Sequence, residues 1–423
     1  MRWLYVLVTW VGFAVAVPVL SLFRKTRDGV WQRFGFYEPG VVPTGPGPRI
    51  WLHGASAGDL LALSPMIDRL RTRYPEAKII LSTITNTGVL MARERLASRI
   101  DAVVYAPWDL WGATRRAVRA ISPDVLVLEY AEIWPNLIRA AKRHGAKVAL
   151  TNGRFSAENV PRYRLLFALI GNPLRDIDLF LMREAEEAER ALELGAPEGR
   201  VHVTGNTKFD ALVPEAPAEE DEALRAAMGL PRDAKVWIWG STHEGEEELL
   251  LGVYRTLRTI APTLRVVIAP RYIDRAVRVR TLVETAGWPV ALRSQGNAQG
   301  APVVVLDTIG ELARAYRLAT IVFVGGSFTT RGGQNILEPA AQGKPVLFGP
   351  HMHNFRDSVQ VLVGRGAIQV NDVAHLTTVM RELLTRPADI VELGDMAKEQ
   401  IREISGASDR NVDALARLIE GRK

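Results

Sequence analysis

"ATIVFVGGSFTTRGGQNILEPAAQGKPVLFGP", Ala319–Pro350, carries the pattern on which the fold turns. The apolar run Ala319–Val324 stops at Gly325 and Gly326. A second glycine pair follows, then a stretch that opens with Leu337-Glu338-Pro339, then the apolar Val346–Phe348. Strand, glycine turn, helix and strand in that order form the repeating unit of a parallel sheet. Glycines strip side chains from the turn and bring backbone N–H groups close to a ligand. The one carboxylate, Glu338, precedes Pro339, which the first turn of a helix tolerates. A carboxylate there can accept two hydrogen bonds from a vicinal diol such as a ribose. The plainer alternative is two tight turns and a charge that favours the helix N-terminus.

The same rhythm extends outward in both directions. Arg49–His53 reads as a short buried strand, followed by a glycine turn and by Leu60, Leu61, Leu63, Met66, Ile67 and Leu70 at helical spacing. Lys78–Thr83, Val125–Leu128 and Lys147–Thr151 read as further strands. "VPEAPAEED", Val213–Asp221, interrupts the pattern as an interdomain linker. It restarts with Val236–Trp239, a helix from Glu244, and the strands Leu264–Ala269, Val303–Leu306, Ile321–Val324 and Val346–Phe348. A chain of 423 residues exceeds one compact core. The expectation is two doubly wound α/β domains, residues 28–213 and 214–423, with a cleft between them. The helical stretch from Val373 onward could cross back to brace the first.

Composition narrows the chemistry. The chain has no cysteine, which excludes disulfides, thiolate catalysis and cysteine–zinc sites. Its seven histidines include no His-x-x-x-His pair, so no metal site is expected. Residues 1–213 hold 28 Lys+Arg against 21 Asp+Glu, and residues 214–423 hold 25 against 26. The positive excess therefore lies in the first half and favours an anionic partner: a phosphorylated lipid, a membrane surface or nucleic acid. No nucleic-acid motif is present, so nucleic acid is set aside. Trp3–Phe23 carries no charge over 21 residues and is followed by Arg24, Lys25, Arg27 and Arg33. That reads as an N-terminal membrane anchor over residues 1–27, with the following domain in the cytoplasm. Pro18 and the aromatic residues equally permit an interfacial helix.

In open α/β sheets ligands bind beyond the carboxyl ends of the strands, and the unusual residues cluster there. "HGASAGD", His53–Asp59, offers Ser56 and Gly58 for close backbone approach and Asp59 as a helix cap or a general base. "LEYAEIWPNL" places Glu129 and Glu132 three residues apart. "TNGRFSAEN" presents Arg154 and Ser156, where an arginine can hold a phosphate or carboxylate or form a surface ion pair. "GNTKFD" offers Lys208. In the second half "WGSTHEGEEELL" sets Gly240, Ser241, Thr242 and His243 between strand and helix, as in an anion-binding turn. "IAPR" puts Pro270 and Arg271 after a strand, and "LDTIGEL" adds a turn at Gly310.

With these segments in order, the chain resembles the bacterial Kdo (3-deoxy-D-manno-oct-2-ulosonic acid) transferase family over nearly its whole length. The resemblance implies the glycosyltransferase B fold, two Rossmann-like domains facing across a cleft. It implies inverting, metal-independent transfer of Kdo from CMP-Kdo to a phosphorylated lipid A precursor at the inner face of the cytoplasmic membrane. Asp59 would be the base, with Glu132 supporting it or shaping the acceptor site. Ser56, Gly58, Arg154, Ser156 and Lys208 would meet the acceptor or sugar. Gly240, Ser241, Thr242, Pro270, Arg271, Gly310, Gly326, Ser327, Gly333, Asn335 and Glu338 would hold the nucleotide, with Glu338 on the ribose and Arg271 at the phosphate. Two positions depart from the family: Asp59 stands where Glu is usual, and Gln334 where His is usual. They leave room for a different nucleotide sugar or lipid acceptor on the same fold.

Overall fold

The computed structural model describes residues 5–7, 9–14, 28–212, 218–296, 298 and 300–421. The chain divides into two compact units, Met1–Ala211 with Ile404–Lys423, and Leu212–Glu403.

The first unit is built on seven strands: β1 (Arg49–His53), β2 (Lys78–Thr83), β3 (Ala102–Tyr105), β4 (Val125–Glu129), β5 (Lys147–Gly153), β6 (Leu179–Met182) and β7 (Val201–Val203). They pair in parallel in the order β3-β2-β1-β4-β5-β6-β7. Both faces are covered, which is why the strands read as continuous apolar runs. Side chains alternate between faces. Ile50, Leu52, Ile79, Leu81 and Val127 pack with Leu63, Met66, Ile67 and Leu70, while Trp51, Ile80, Leu126 and Leu128 pack with Ala117, Ile121, Leu137 and Ile138. The expected helix after β1 comes as two pieces, Ala57–Ala62 and Ser64–Arg73, and Leu61 turns outward.

The final helix, Ala407–Glu420, belongs to this unit. Val412 and Leu415 reach the first sheet's core, Asp409 pairs with Arg69, and Asp413 pairs with Arg73 at 2.7 Å. The Asp210 carboxylate accepts the N–H groups of Gly406 and Ser408, both at 2.6 Å, and so fixes the helix start.

The second unit repeats the plan with β8 (Val236–Thr242), β9 (Arg265–Pro270), β10 (Val290–Leu292), β11 (Val303–Val305), β12 (Ile321–Val324), β13 (Val346–Phe348) and β14 (Ala367–Gln369). The order is β10-β11-β9-β8-β12-β13-β14, again all parallel. Trp237 and Trp239, two apart on β8, share one face and meet edge-on at 5.0 Å in its core.

Some expectations need correction. Residues 218–221 of the expected linker form the first turn of helix Ala218–Ala227, where three successive acidic residues suit a helix start; residues 213–217 lie outside the described residues. The helix expected from Glu244 begins at Glu246, because Gly245 adopts a left-handed φ of 93°. Most of the expected anchor, residues 1–4, 8 and 15–27, also lies outside the described residues. Its described parts are helical and dock on the first unit, Tyr5 donating to Asp109 at 2.7 Å and Phe13 meeting Trp108 at 5.5 Å. Among the described residues no helix is long and apolar enough to cross a membrane.

Candidate active site

At the end of β1, Ser56 caps helix Ala57–Ala62 and Asp59 is the third residue of that helix. The Ser56 N–H donates to Asp59 Oδ2 at 2.8 Å, and the Asp59 N–H donates back to Ser56 Oγ at 3.4 Å. This is a capping box. The cap is therefore Ser56, while the half-buried Asp59 keeps its Oδ1 unbonded among the described residues. Gly54 makes room for it, since a Cβ there would stand 2.9 Å from the Asp59 Cβ.

Glu129 ends β4 fully buried. Thr151 Oγ1 donates to it at 2.6 Å, and Asn152 Nδ2 donates to its other oxygen. Asn152 in turn accepts the Thr207 N–H at 2.9 Å, and the Thr207 hydroxyl donates to the Ala62 carbonyl at 2.8 Å. The network thus ties the ends of β4 and β5 to the helix that carries Asp59. Burial pushes the Glu129 carboxyl up to about 8 against the pull of these hydrogen bonds, and the charge of Asp59 adds to the rise. The chain leaves β4 through left-handed Tyr130 at φ 56°, and Asn152, the penultimate residue of β5, is left-handed too at φ 49°.

Glu132 accepts from the Trp134 indole N–H at 2.8 Å, and its Oε2 lies 3.7 Å from Nε2 of the buried His53. His53 Nδ1 is 3.0 Å from Ser82 Oγ, which already accepts the Trp51 indole N–H at 2.7 Å. The hydroxyl can then donate to Nδ1, a tautomer that leaves the ring proton on Nε2, facing Glu132. Ser156 accepts from Asn159 Nδ2 at 2.9 Å. Arg154 and Lys208 are exposed, and neither forms an ion pair among the described residues.

In the second unit the centre is Glu246, fully buried. Its Oε2 accepts from the N–H groups of His243 (2.9 Å) and Gly326 (2.7 Å), and its Oε1 from those of Ser327 (3.0 Å) and Phe328 (2.9 Å). This corrects one expectation. The amides of Gly326 and Ser327, expected to face a nucleotide, are spent on Glu246, and Ser327 has no exposed surface. The Gly333 N–H likewise donates to the Gly326 carbonyl at 2.8 Å. Neighbouring Glu247 accepts from Thr242 Oγ1 at 2.8 Å and pairs with Arg275 at 2.9 Å.

Around this frame stand the cations. Arg271 and Arg331 are exposed and form no ion pair among the described residues. Burial, and then the charges of Arg331, Arg275 and Arg271, push His243 below its ordinary pKa. Gln334 Nε2 lies 3.3 Å from His243 Nε2. Asn335 Nδ2 donates to Glu338 Oε1 at 3.0 Å. The half-buried Glu338 lies near enough to Tyr316 to add to the rise that burial gives the phenol. A Cβ at Gly240 would collide with the Tyr316 hydroxyl, so that residue must be glycine. Ser241 takes a left-handed φ of 55°, Pro270 ends β9 half-buried, and Gly310 lies in an exposed turn with open space about it. Among the described residues no group of three His, Cys, Asp or Glu side chains is placed to hold a metal.

Comparison with known proteins gives the family. A family described as 3-deoxy-D-manno-octulosonic-acid transferase (kdotransferase) matches residues 28–211. The 3-deoxy-D-manno-octulosonic acid transferase of Chlamydophila psittaci is 32% identical over 417 residues, covering 96% of this chain and 94% of that protein. The chain belongs to this family. The Haemophilus influenzae transferase of the same name is 31% identical, covering 94% of this chain and 92% of its own length. This transferase also shares its fold with the UDP-GlcNAc 2-epimerase of Neisseria meningitidis, solved bound to UDP-GlcNAc. That structure aligns with a TM-score of 0.60 at 15% identity, covering 87% of this chain and all of the other. The two parallel-sheet domains are those of the glycosyltransferase B fold.

Sequence reading overlooked several participants. Arg331 lay inside the quoted glycine stretch without a role, and Glu246 looked like one of several helix-start acids. Ser82 lies in no quoted stretch, and Thr151 and Thr207 stood inside "TNGRFSAEN" and "GNTKFD" without a role. Their only signal is a polar side chain within or just after a buried segment.

Proposed function

We propose that this transferase moves Kdo from CMP-Kdo to a phosphorylated lipid A precursor, in lipopolysaccharide core biosynthesis at the inner face of the cytoplasmic membrane. Beyond the family itself, one observation carries the reading: Arg271 and Arg331, both exposed and without ion-pair partners among the described residues, stand near His243 at strand ends. Two such guanidiniums suit the phosphate of a leaving nucleotide, whose charge grows as the bond to the sugar breaks. Glu338, oriented by Asn335, suits the ribose diol.

In the first unit Asp59 Oδ1 takes the proton of the acceptor hydroxyl. The hydroxyl oxygen bonds to the anomeric carbon, the anomeric carbon–oxygen bond to phosphate breaks, and CMP leaves with inversion. Glu132, held by Trp134 and His53, positions the acceptor. Asp59 and Gln334, where the family usually has Glu and His, favour one second reading, transfer of another nucleotide sugar or to another lipid. Incubation with CMP-Kdo and a tetra-acylated lipid A precursor separates the two. Transfer supports the first reading. No transfer, while another nucleotide sugar reacts, sinks it.

A further inference from the structure

The final helix sorts its charges by face. Asp409, Asp413 and Glu420 pair with Arg69 and Arg73 of helix Ser64–Arg73. Arg410, Ala414, Arg417 and Leu418, at the spacing of another face, line a cavity of about 410 Å³ against β6 and β7. Leu179 and Leu181 of β6 supply apolar wall, and His202, the register partner of Leu181, and Thr204 supply the side toward β7. The volume falls within the range of small-molecule sites.

Three features mark it as more than a packing gap. No carboxylate lines it, although the same helix carries three on its other side. Arg417 is exposed and forms no ion pair among the described residues, whereas Arg410 Nε already donates to the Thr204 carbonyl at 2.8 Å. Thr204 adds a polar wall residue only 7% exposed, whose hydroxyl has no hydrogen-bond partner among the described residues.

We propose that this cavity binds a small amphipathic anion. Its apolar body lies on Leu179, Leu181 and Leu418, and its oxyanion head meets Arg417. Such a ligand joins the edge strand β7 to the final helix, so its occupancy tightens the docking of that helix. None of the lining residues belongs to the strand-end sites described above, and the inference does not depend on the identity of the transferred sugar.

The test titrates the full chain with decanoate below its micelle concentration, followed by calorimetry, with decanol and inorganic phosphate as companion probes. Decanoate should saturate at one per chain, decanol should bind about 10-fold more weakly for want of a charge-assisted hydrogen bond, and phosphate alone should not saturate. Arg417→Gln should weaken decanoate about 10-fold and leave decanol unchanged. Ala414→Trp should fill the cavity and remove both, with the circular dichroism spectrum intact. Decyl phosphate in place of decanoate then tells which head group the site prefers. Absence of saturation by decanoate, saturation by phosphate alone, or unaltered affinity in Arg417→Gln overturns the proposal.

Discussion

Glu246 Oε2 and the N–H of Gly326 lie 2.7 Å apart, joining the helix after β8 to the glycine loop after β12. The same carboxylate takes three further backbone N–H groups, from His243, Ser327 and Phe328. It holds in register the two turns that carry His243 and Arg331. Glu246→Gln replaces one accepting oxygen with an amino group, so two buried N–H groups lose their acceptor and face a donor. The expected cost is roughly 2–6 kcal/mol, taking about 1–3 for each stranded group. Urea denaturation measures it; a midpoint equal to wild type would show that water replaces the carboxylate without penalty.

Arg271 and Arg331 make the opposite kind of prediction. Both are exposed and without ion-pair partners among the described residues, so Arg271→Gln and Arg331→Gln should alter stability by no more than about 0.5 kcal/mol. Each should nevertheless lower CMP affinity about 10-fold through loss of a charge-assisted hydrogen bond to phosphate. Calorimetry with CMP is the readout. Affinity unchanged in both variants would place the phosphate elsewhere.

How far the sequence was legible depended on side-chain periodicity. Apolar runs such as Val125–Leu128 and Ile321–Val324 could be read directly as strands. Strands Ala102–Tyr105, Leu179–Met182, Val201–Val203, Val290–Leu292 and Ala367–Gln369 were not named. All five span only three or four residues, too few to display a period, and Leu179–Met182 escaped although it is as apolar as Ile321–Val324. Glycine turns located both strand-end sites, but composition does not say where an amide points. Gly326 and Ser327 present theirs to Glu246 because a buried carboxylate needs several donors, a long-range pairing across 80 residues of chain that no local pattern announces.

Glu338 tests the ribose reading. Glu338→Gln keeps size and the bond from Asn335 but makes each hydrogen bond to a diol neutral rather than charge-assisted. Donor affinity should fall about 5- to 30-fold, equivalent to about 1–2 kcal/mol. If calorimetry shows undiminished CMP binding, Glu338 serves only the helix start.

Glu129 predicts a pH dependence. Its pKa in the fold is about 8, against an ordinary 4.5. Between those values the unfolded chain releases a proton that the folded chain retains. Stability contributed by the protonated group is therefore fully present below pH 4.5 and lost as pH rises through about 8, with a limiting slope of about 1.4 kcal/mol per pH unit. Glu129→Gln mimics the protonated form, accepting from Asn152 and donating to Thr151. It should remove that fall and leave the variant more stable than wild type at pH 9. Parallel melting curves from pH 5 to 9 for the two proteins would contradict this assignment.

Asp59 stands where the family resemblance implies Glu, and its geometry makes the test clean. The capping box needs an acceptor at Asp59 for the Ser56 N–H, and Asn supplies one through its side-chain oxygen. Asp59→Asn should therefore keep the helix start and CMP binding while abolishing transfer, because an amide cannot take the acceptor's proton. Asp59→Ala would remove the box as well, mixing about 1 kcal/mol of lost capping into the result. Asp59→Glu separates two further cases. Glutamate is the usual capping-box residue at this position, so the fold tolerates it. A site shaped around the shorter carboxylate should lose about 10- to 100-fold in rate, since a displacement of about 1 Å moves the proton acceptor out of line. A site that merely tolerates Asp should hold or gain rate. Single-turnover kinetics on the two variants, with CMP affinity measured alongside, decides the matter: near-normal turnover by Asp59→Asn would exclude Asp59 as the base and turn attention to Glu132.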